Sequence, residues 1–553
     1  MLHLVLVLCA FVQTAESPAL SQAELSSAAA VSGLRFTPAE LELMLADVTG
    51  RLREFERLRA VPLENSDPPA LEFQPEFAGW RARPRSLDPA KVEYPEVERP
   101  ADIEELAFAD ITTLAALVRS RKVSCLELTE LFLARLERYD GALHCVVSLT
   151  PERARRQAKA LDKELDAGRW RGPLHGIPWG AKDLLAVRGT KTTWGAQPFR
   201  EQVLDVDATV VQRLDEAGAV LIGKLSLGAL AWGDVWFGGT TRNPWNPVQG
   251  SSGSSAGSAS ATAAGLVPFA IGTETLGSIV SPSDRCGCSS LRPTFGRVSR
   301  HGAMSLSWSM DKLGPIARSM RDAGLVFEAI HGADGRDTTV AEREPFRWPG
   351  TVDVTDWVVG VPKGAAEQGG AAFEAALEVL EGLGVRILEV ELPEYPLDAL
   401  LMVLSAEAAT AFDELTRSGQ DDELTRQIAR AWPNTFRAAR LIPAVEYLRA
   451  QRLRVKMMRE FDDVLSGVDA LVHPSFAAGV LSMTNLTGHP AAVMPVGFRD
   501  DGTPYSISFT GRLFGEERLM ALAHRFQEAT DHHLRHPVLP AAPPAGDTTG
   551  GKR

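Results

Sequence analysis

The segment QGSSGSSAGSASATAAG, residues 249–265, has the glycine, serine and alanine content of a flexible linker. A linker should lie between two domain edges. This segment is instead followed at once by LVPFAIGTETLGSIVSP, residues 266–282, an apolar run that ends in a second cluster of small residues. The composition of a linker is therefore present without the position of a linker, and the linker interpretation fits poorly.

Two short catalytic patterns in this part of the chain lack the context that their chemistry needs. Residues 253–257 match G-x-S-x-G, the nucleophile elbow of α/β-hydrolases, which requires a buried strand before it. Pro244 and Pro247 argue against such a strand. Ser309 and Lys312 form an S-x-x-K pattern, but no K-T-G follows it as it does in β-lactamases. Neither pattern is interpreted as a site.

The composition indicates a folded globular protein: 45% of the 553 residues are hydrophobic and 23% are charged. A net charge of −13 opposes attraction to phosphate backbones and anionic lipid, so nucleic acid is not expected as the main ligand. The five cysteines include no C-x-x-C pair and no histidine at zinc spacing. They are interpreted as structural thiols, with a redox or metal-binding pair at Cys286 and Cys288 as the alternative.

The first residues contain an apolar run from Leu4 to Val12, which is too short to span a bilayer but has the length of a signal-peptide core. The basic segment that should precede such a core is missing, and the residues after it make a poor cleavage site. Residues 1–17 are therefore interpreted as a possible signal peptide. This slightly favours a secreted or periplasmic location over a cytoplasmic one, and no membrane span is predicted.

Residues 18–100 are predicted to be an N-terminal extension formed by a helix and a proline-rich arm. A capping pattern begins at Thr37, and apolar residues follow it at helical spacing as far as Phe55. Prolines and acidic residues then crowd residues 66–100 without any sustained period. That composition is typical of an extended arm or a linker.

The main domain is expected over residues 101–537, followed by a disordered Pro/Gly tail over residues 538–553. In this domain, helical patterns such as the one over residues 208–218 alternate with short apolar runs bounded by glycine or proline. Such alternation predicts an α/β fold with buried strands. The predicted strands are GAVLIG at 218–223, WVVGVP at 357–362, VRILEVEL at 385–392 and AAVMPVGF at 491–498.

Several segments, in order along the chain, together resemble the amidase signature family of serine hydrolases over roughly residues 101–537. The resemblance implies a single large domain whose central mixed β-sheet is covered by helices on both faces. The segments are GIPWGAKDLL at 176–185, RNPWNP at 242–247, SGSSAGSA at 252–259, GTETLGSIVSP at 272–282, CGCSSLRPTFGRVSRHG at 286–302 and NLTGHPAAVMPVGF at 485–498.

By this resemblance the catalytic lysine is Lys182, the bridging serine, with a cis peptide bond before it, is Ser254, and the nucleophile is Ser278. The chemistry is consistent, because a serine hydroxyl needs a neighbouring base and a lysine serves as one only when it is neutral. The resemblance also implies an oxyanion hole and requires no metal or organic cofactor. The oxyanion hole would consist of the backbone N–H groups of Thr275, Leu276, Gly277 and Ser278.

The chain departs from the family pattern at three positions, where Leu276 stands for a frequent Gly, Val280 for a frequent Arg and Glu274 for the usual Asp. Leu276 keeps its backbone N–H, so the catalytic chemistry is still expected. The departures instead leave the shape of the substrate undetermined. The histidines and aromatic residues near these segments are not assigned a catalytic role. His175, His301 and His489 are expected to be structural, and the aromatic residues Trp179, Trp194, Trp232, Trp236 and Phe237 fit either a pocket or the core.

The leading hypothesis is a standalone amidase that hydrolyses a carbon–nitrogen bond of a small-molecule amide substrate and forms a possible homodimer. A second hypothesis is the A subunit of a tRNA-dependent amidotransferase, which would release ammonia from glutamine for a partner protein. A third is a non-catalytic binding protein on an amidase fold. The presence of Lys182, Ser254 and Ser278 together argues against the third.

Overall fold

A computed structural model describes residues 20–82 and 87–539, which form fifteen β-strands, seventeen α-helices and six short 3-10 helices. The strands are β1 (Val146–Leu149), β2 (Pro178–Lys182), β3 (Val220–Leu225), β4 (Val235–Trp236), β5 (Gly239–Thr240), β6 (Arg242–Asn243), β7 (Asn246–Gly250), β8 (Phe269–Glu274), β9 (Ser289–Arg292), β10 (Lys312–Ala317), β11 (Val358–Pro362), β12 (Arg386–Val390), β13 (Ala470–Pro474), β14 (Ala491–Phe498) and β15 (Pro504–Thr510).

The α-helices are α1 (Gln22–Val31), α2 (Pro38–Arg59), α3 (Ile111–Arg119), α4 (Cys125–Leu143), α5 (Pro151–Asp166), α6 (Thr209–Ala217), α7 (Ala256–Ala263), α8 (Val280–Cys286), α9 (Met320–Ile330), α10 (Ala365–Gly382), α11 (Leu397–Leu400), α12 (Met402–Ala411), α13 (Asp413–Arg417), α14 (Trp432–Ala439), α15 (Ala444–Ser466), α16 (Val480–Thr487) and α17 (Glu516–Glu528). The 3-10 helices are Ile103–Phe108, Gln197–Phe199, Ala229–Ala231, Gln420–Glu423, Ala477–Gly479 and His532–Leu534.

Eleven strands form one mixed sheet in the order β1-β3-β2-β8-β10-β9-β14-β15-β13-β11-β12. Strand β2 is parallel to both β3 and β8, whereas β8, β10, β9, β14, β15 and β13 pair antiparallel in turn. The predicted α/β fold is therefore confirmed, and so are the four predicted strands, which correspond to β3, β11, β12 and β14.

The middle of the sheet is covered on both faces. Every residue of β2, β3, β8, β9 and β10 is buried. Because successive side chains of a strand point to opposite faces, complete burial requires packing on both sides. Helices that pack on these strands include α4 and α5 on β3, α7 on β8 and α9 on β10. This rigid centre is the part of the fold that carries the site.

The N-terminal extension contains the predicted helix, α2, whose capping box between Thr37 and Glu40 is present. Of its residues only Leu41 is buried, and Phe55 is 42% exposed, so the apolar face is far less covered than the amphipathic pattern predicts. Residues 61–82 and 87–102 contain no helix or strand. The proposed signal peptide and all but the first two residues of the proposed tail lie outside the described residues.

In the parts of the chain that the structure describes, no helix combines the length and the apolar composition needed to cross a bilayer.

Candidate active site

The three predicted catalytic residues lie at one edge of the sheet. Lys182 is the last residue of β2, Ser278 lies in the loop between β8 and α8, and Ser254 lies just before α7. Strands β2 and β8 are adjacent and parallel, with Ala181 opposite Ile271. The carboxyl ends of parallel neighbours meet at the same edge of a sheet, so the loop after β8 lies beside the end of β2.

Lys182 is fully buried, and its amine is surrounded by neutral oxygens. The Nζ atom lies 2.9 Å from Oγ of Ser254, 2.9 Å from Oγ of Ser255, 2.8 Å from Oγ1 of Thr273 and 3.2 Å from the Thr273 carbonyl oxygen. Lys182 forms no ion pair with any carboxylate of the described residues. The amine is therefore held by hydrogen bonds alone.

Burial lowers the pKa of Lys182 well below its ordinary value, and the charges of Asp311 and Glu274 oppose this shift only in part. Desolvation penalises the charged form of an amine, so the neutral form is favoured here. A neutral amine has two N–H bonds and one lone pair. Two of the surrounding oxygens can then accept from Lys182, while the lone pair is left for the proton of a hydroxyl.

The peptide bond between Gly253 and Ser254 is cis, as the resemblance implies. Gly253 also packs directly on another backbone segment, because a Cβ atom at this position would lie 1.8 Å from the carbonyl oxygen of Gly233. The neighbouring Ser252 N–H donates to Oδ2 of Asp234 at 3.1 Å. The small residues of the segment thus allow the backbone of residues 252–254 to lie against residues 233–234.

The loop of Ser278 has the features of a nucleophile site with free donors. Ser278 is 7% exposed, and within residues 20–82 and 87–539 its hydroxyl has no hydrogen-bond partner. Its carbonyl oxygen accepts from the N–H of Ser255 at 3.1 Å, which fixes this loop beside Ser254. The backbone N–H groups of residues 275–278 donate to no group in the same described ranges. They are available to a substrate oxygen.

Glu274 holds the chain on the other side of Ser278. Its Oε2 accepts from the N–H groups of Ile279 at 2.7 Å and Val280 at 2.9 Å, and its Oε1 accepts from Arg292 at 2.8 Å and Asn485 at 2.8 Å. Burial alone would raise the pKa of Glu274, but Arg292 and these hydrogen bonds hold it at about 2. The glutamate that replaces the usual aspartate is therefore fully accommodated as an anion.

Asp311, the residue before β10, holds the loop of residues 275–278, which carries the predicted oxyanion hole and which we call the oxyanion loop. One carboxylate oxygen accepts from Oγ1 of Thr275 at 2.6 Å, and the other accepts from the N–H groups of Leu306 at 2.8 Å and Ser307 at 2.9 Å. Sequence reasoning missed Asp311, and also Thr273 beside Lys182. No short motif marks either residue, and only the alternation along β8 could have suggested that Thr273 and Glu274 face opposite sides.

Comparisons with known proteins identify the family of the chain. A family model described as Amidase matches residues 127–520. The chain belongs to the amidase family. It is 34% identical over 481 residues to the A subunit of the glutamyl-tRNA(Gln) amidotransferase of Methylococcus capsulatus, an alignment that covers 77% of this chain and 98% of the relative.

Two solved structures are similar to the whole amidase domain. The native peptide amidase from Stenotrophomonas maltophilia has a TM-score of 0.70 and 28% identity, covering 80% of this chain and 100% of that one. The A subunit of the glutamyl-tRNA(Gln) amidotransferase of Thermotoga maritima has a TM-score of 0.66 and 26% identity, covering 81% and 100%. The protein is thus an enzyme of the amidase class, whose members cleave amide C–N bonds by serine-based catalysis.

The three histidines that are expected to be structural make no hydrogen bond to Lys182, Ser254 or Ser278 among the described residues. Nε2 of His175 lies 3.2 Å from the carbonyl oxygen of Leu161, and its ring stacks on Trp170. His489 is buried, where burial and Arg292 lower its pKa to about 3. The carbonyl oxygen of His301 accepts from the N–H of Thr209.

Among the aromatic candidates, Trp179 and Trp194 belong to the main hydrophobic core. Trp179 is fully buried against Phe269 in the core. Trp232 adjoins residues 233–234, which pack on the Ser254 segment, and Arg426 lies 5.1 Å from its ring centre. Trp194 and Trp236 are 7% and 6% exposed, with Trp194 against Phe199 and Phe412 and Trp236 against Phe237.

The two short patterns set aside in the sequence have other roles in the amidase fold. Ser309 bonds to Glu407 and Arg454, while Nζ of Lys312 donates to the Met310 carbonyl oxygen. Residues 246–250, which precede the elbow-like pattern, do form a strand, β7, despite Pro247. This strand is a partly exposed ribbon paired only with β6, and it is not the buried strand that an elbow requires.

The four described cysteines, Cys125, Cys145, Cys286 and Cys288, are free and buried. Burial raises the pKa of the Cys288 thiol to about 12 and that of Cys286 well above its ordinary value. Both thiols are therefore protonated, which fits the structural interpretation better than a redox pair. Cys9 lies outside the described residues.

Proposed function

We propose that the chain hydrolyses a carboxamide C–N bond through an acyl-enzyme on Ser278, with Lys182 and Ser254 relaying the proton. The observation that carries this proposal is the buried Lys182, whose amine lies 2.9 Å from the Ser254 hydroxyl and forms no ion pair in the described part of the chain. A desolvated amine next to a hydroxyl is a base poised to take a proton.

In the first step, Oγ of Ser278 attacks the amide carbonyl carbon and gives its proton to Oγ of Ser254. Ser254 passes its own proton to Nζ of Lys182. The carbonyl oxygen becomes an oxyanion, which would accept from the free N–H groups of residues 275–278. Asp311 and Glu274 hold the two ends of this loop, so the donors need no rearrangement when the charge develops.

In the second step, the C–N bond breaks and the leaving amine takes the proton back along the same path from Lys182 through Ser254. A water molecule then attacks the acyl-enzyme and gives its proton to the relay. The acid is released, and the Ser278 hydroxyl is restored. Lys182 ends the cycle neutral, as it began.

The test of this proposal is Ser278→Ala. The variant should lose amide hydrolysis while its melting temperature stays near that of the wild type, because the substitution removes a nucleophile and little packing. A fluorophosphonate probe should label the wild type and not the variant. Activity within about tenfold of the wild type, or unchanged labelling, would place the nucleophile elsewhere.

A second function, the A subunit of a tRNA-dependent amidotransferase, is supported by the curated relatives, several of which carry that name at 33% to 34% identity. These names support the second function more directly than the first, while the peptide amidase structure supports the first. Both functions use the same acyl-enzyme chemistry, with glutamine as the amide in the second.

Two measurements separate these functions. If the chain belongs to an amidotransferase, a tagged form expressed in its own cells should bring down stoichiometric partner proteins, and L-glutamine should be its best amide. A chain that is active alone, runs as a monomer or homodimer on gel filtration and prefers peptide amides, p-nitroanilides or aliphatic amides over glutamine would support the standalone amidase.

A further inference from the structure

One loop contacts both the segment that follows Lys182 and the oxyanion loop that contains Thr275. In this loop, residues 302–311, the N–H of Met304 donates to the carbonyl oxygen of Leu184, two residues after Lys182, at 3.0 Å. At its other end, Asp311 accepts from the hydroxyl of Thr275 in the oxyanion loop at 2.6 Å. We call residues 302–311 the bracing loop. Its position fixes the base segment and the oxyanion loop relative to each other.

The middle of the bracing loop is held by side chains and not by a strand or a helix. Three consecutive N–H groups are bonded in this way: Ser305 donates to Oδ1 of Asn65 at 2.7 Å, and Leu306 and Ser307 donate to Asp311 at 2.8 Å and 2.9 Å. Asn65 also donates from Nδ2 to the Ser305 carbonyl oxygen at 2.9 Å. A single side-chain amide from the N-terminal extension, at the start of its arm, thus satisfies both backbone groups of Ser305.

The arm is anchored to the same loop a second time. Arg454, which is fully buried, donates to Oγ and to the carbonyl oxygen of Ser309, each at 2.8 Å. The ring of Phe73 covers its guanidinium at 3.7 Å and packs edge-on against Phe295 at 5.0 Å. Of residues 61–70, Asn65 is the one whose exposure is only intermediate. Asn65 thus contacts the bracing loop directly, and Phe73 contacts it through Arg454.

We propose that Asn65 is a positioning residue for amide hydrolysis, acting through Ser305, Asp311 and Thr275 on the oxyanion loop. Residue 65 lies outside residues 127–520, which the family model matches, so this support is an addition to the amidase domain. The inference rests on the proposed function only where turnover is measured. The coupling between the arm and the oxyanion loop is a separate physical property.

The test compares Asn65→Ala with Glu76→Gln in the full chain. Glu76 lies on the same arm but pairs with Arg343, which is not in the bracing loop. For each protein, kcat and KM are measured on the best amide found for the wild type. Hydrogen–deuterium exchange is measured by mass spectrometry on peptides covering residues 302–311 and 273–280.

Asn65→Ala should lower kcat roughly ten- to hundredfold with KM within about threefold, because a displaced oxyanion donor acts on the transition state more than on the bound substrate. Exchange should rise in both peptides. Glu76→Gln should leave kcat and both peptides near the wild type, even where it lowers the melting temperature. If the arm only stabilises the fold, Asn65→Ala and Glu76→Gln should both lower the melting temperature and leave kcat unchanged.

Faster exchange in residues 302–311 without a change in residues 273–280 would overturn the proposal, and so would an unchanged kcat in Asn65→Ala. An equal loss of kcat in Glu76→Gln would overturn the role of Asn65 and assign the effect to docking of the whole arm. If the wild type neither hydrolyses an amide nor reacts with a fluorophosphonate, the proposed function fails by itself. The exchange measurement then still decides whether Asn65 is coupled to the oxyanion loop.

Discussion

Two fully buried lysines lie on neighbouring strands, Lys182 on β2 and Lys224 on β3, and their surroundings differ completely. Lys224 pairs with Asp183 at 2.7 Å, and it also donates to Oγ1 of Thr192 at 3.0 Å. Among the described residues, the amine of Lys182 has hydrogen-bond contacts only with hydroxyls and a carbonyl oxygen. Burial lowers the pKa of both amines, but Asp183 counteracts the shift at Lys224, whereas Lys182 has no such partner in the described chain.

The contrast shows that burial does not by itself make a lysine a base. Asp183 follows Lys182 directly, yet its side chain serves Lys224. Alternation along the strand explains this, because Ala181 is opposite Lys224, and Asp183, two residues further on, shares the face of Ala181. Lys182 points to the other face. One register thus gives Lys224 a counter-ion and leaves Lys182 without one among the described residues.

The largest expected effect is at Lys182. Lys182→Ala should lower kcat/KM by about 10³- to 10⁴-fold, within the range that a general base supplies. Lys182→Arg keeps the charge but cannot release its proton near neutral pH, so it should be nearly as inactive. Steady-state kinetics on one amide substrate, with melting temperatures of both variants, measure this. An active Arg variant would show that the role of Lys182 is electrostatic, as that of Lys224 is.

The second effect is on stability. Lys224→Met leaves the buried Asp183 carboxylate without its cation, and breaking such a pair typically costs about 3–5 kcal/mol. Lys182→Met should cost clearly less, because it removes a neutral amine and leaves no buried charge behind. Urea unfolding of the two variants gives the comparison directly. Equal losses would mean that the two amines carry the same charge in the folded protein.

The third effect is the pH dependence. Since the active form of Lys182 is neutral, kcat/KM should rise about tenfold per pH unit on the acid side and level off well below the ~10.4 of an unperturbed lysine. The unfolded chain keeps this proton up to ~10.4, whereas the folded chain loses it at lower pH. Between the folded and unfolded pKa values, the free energy of unfolding therefore increases by up to about 1.4 kcal/mol per pH unit. Lys182→Met should remove the share of this slope that Lys182 contributes, leaving the share of the other buried lysines such as Lys224, and unfolding measured at several pH values will show the difference.

Sequence reasoning predicted the strands and the principal site residues, but for different reasons. Strands such as β3 and β14 are buried on both faces, so they are continuous apolar runs that can be recognised without their partners. Lys182, Ser254 and Ser278 were predicted because each lies in a segment that resembles the amidase signature family. The hydrogen bond from Lys182 to Ser254 agrees with the relay, whose catalytic role stays a prediction.

The supporting residues could not be predicted, because each acts through a contact that is distant in sequence. Asn65 is 240 residues from Ser305, and Asn485 is 211 residues from Glu274. Nothing local distinguishes Asn65 from any other polar residue in a proline-rich arm. The composition of that arm predicts an extended chain, but it says nothing about which of its side chains contact the rest of the molecule. Only the tertiary structure separates such an anchor from its exposed neighbours.

The smallest effect expected here separates two serines that are equally close to Lys182. Oγ of Ser254 and Oγ of Ser255 both lie 2.9 Å from its amine. Ser255 also accepts from the N–H of Thr273 at 3.1 Å and donates to the Thr273 carbonyl oxygen at 3.1 Å, so its proton is already committed to the backbone. Ser254 has no acceptor other than Lys182 among the described residues, and its proton is therefore the one that the relay can move.

Ser255→Ala should accordingly lower kcat/KM by at most about tenfold and cost roughly 1–3 kcal/mol of stability, because it leaves the Thr273 N–H without its acceptor. Ser254→Ala should lose activity almost as completely as Lys182→Ala at little cost in stability. The two alanine variants remove the same atoms at the same distance from the same amine, so each is the control for the other. If Ser255→Ala were the inactive one, the proton would have to travel through residue 255, and the neutral environment of Lys182 would serve a different hydroxyl from the one proposed.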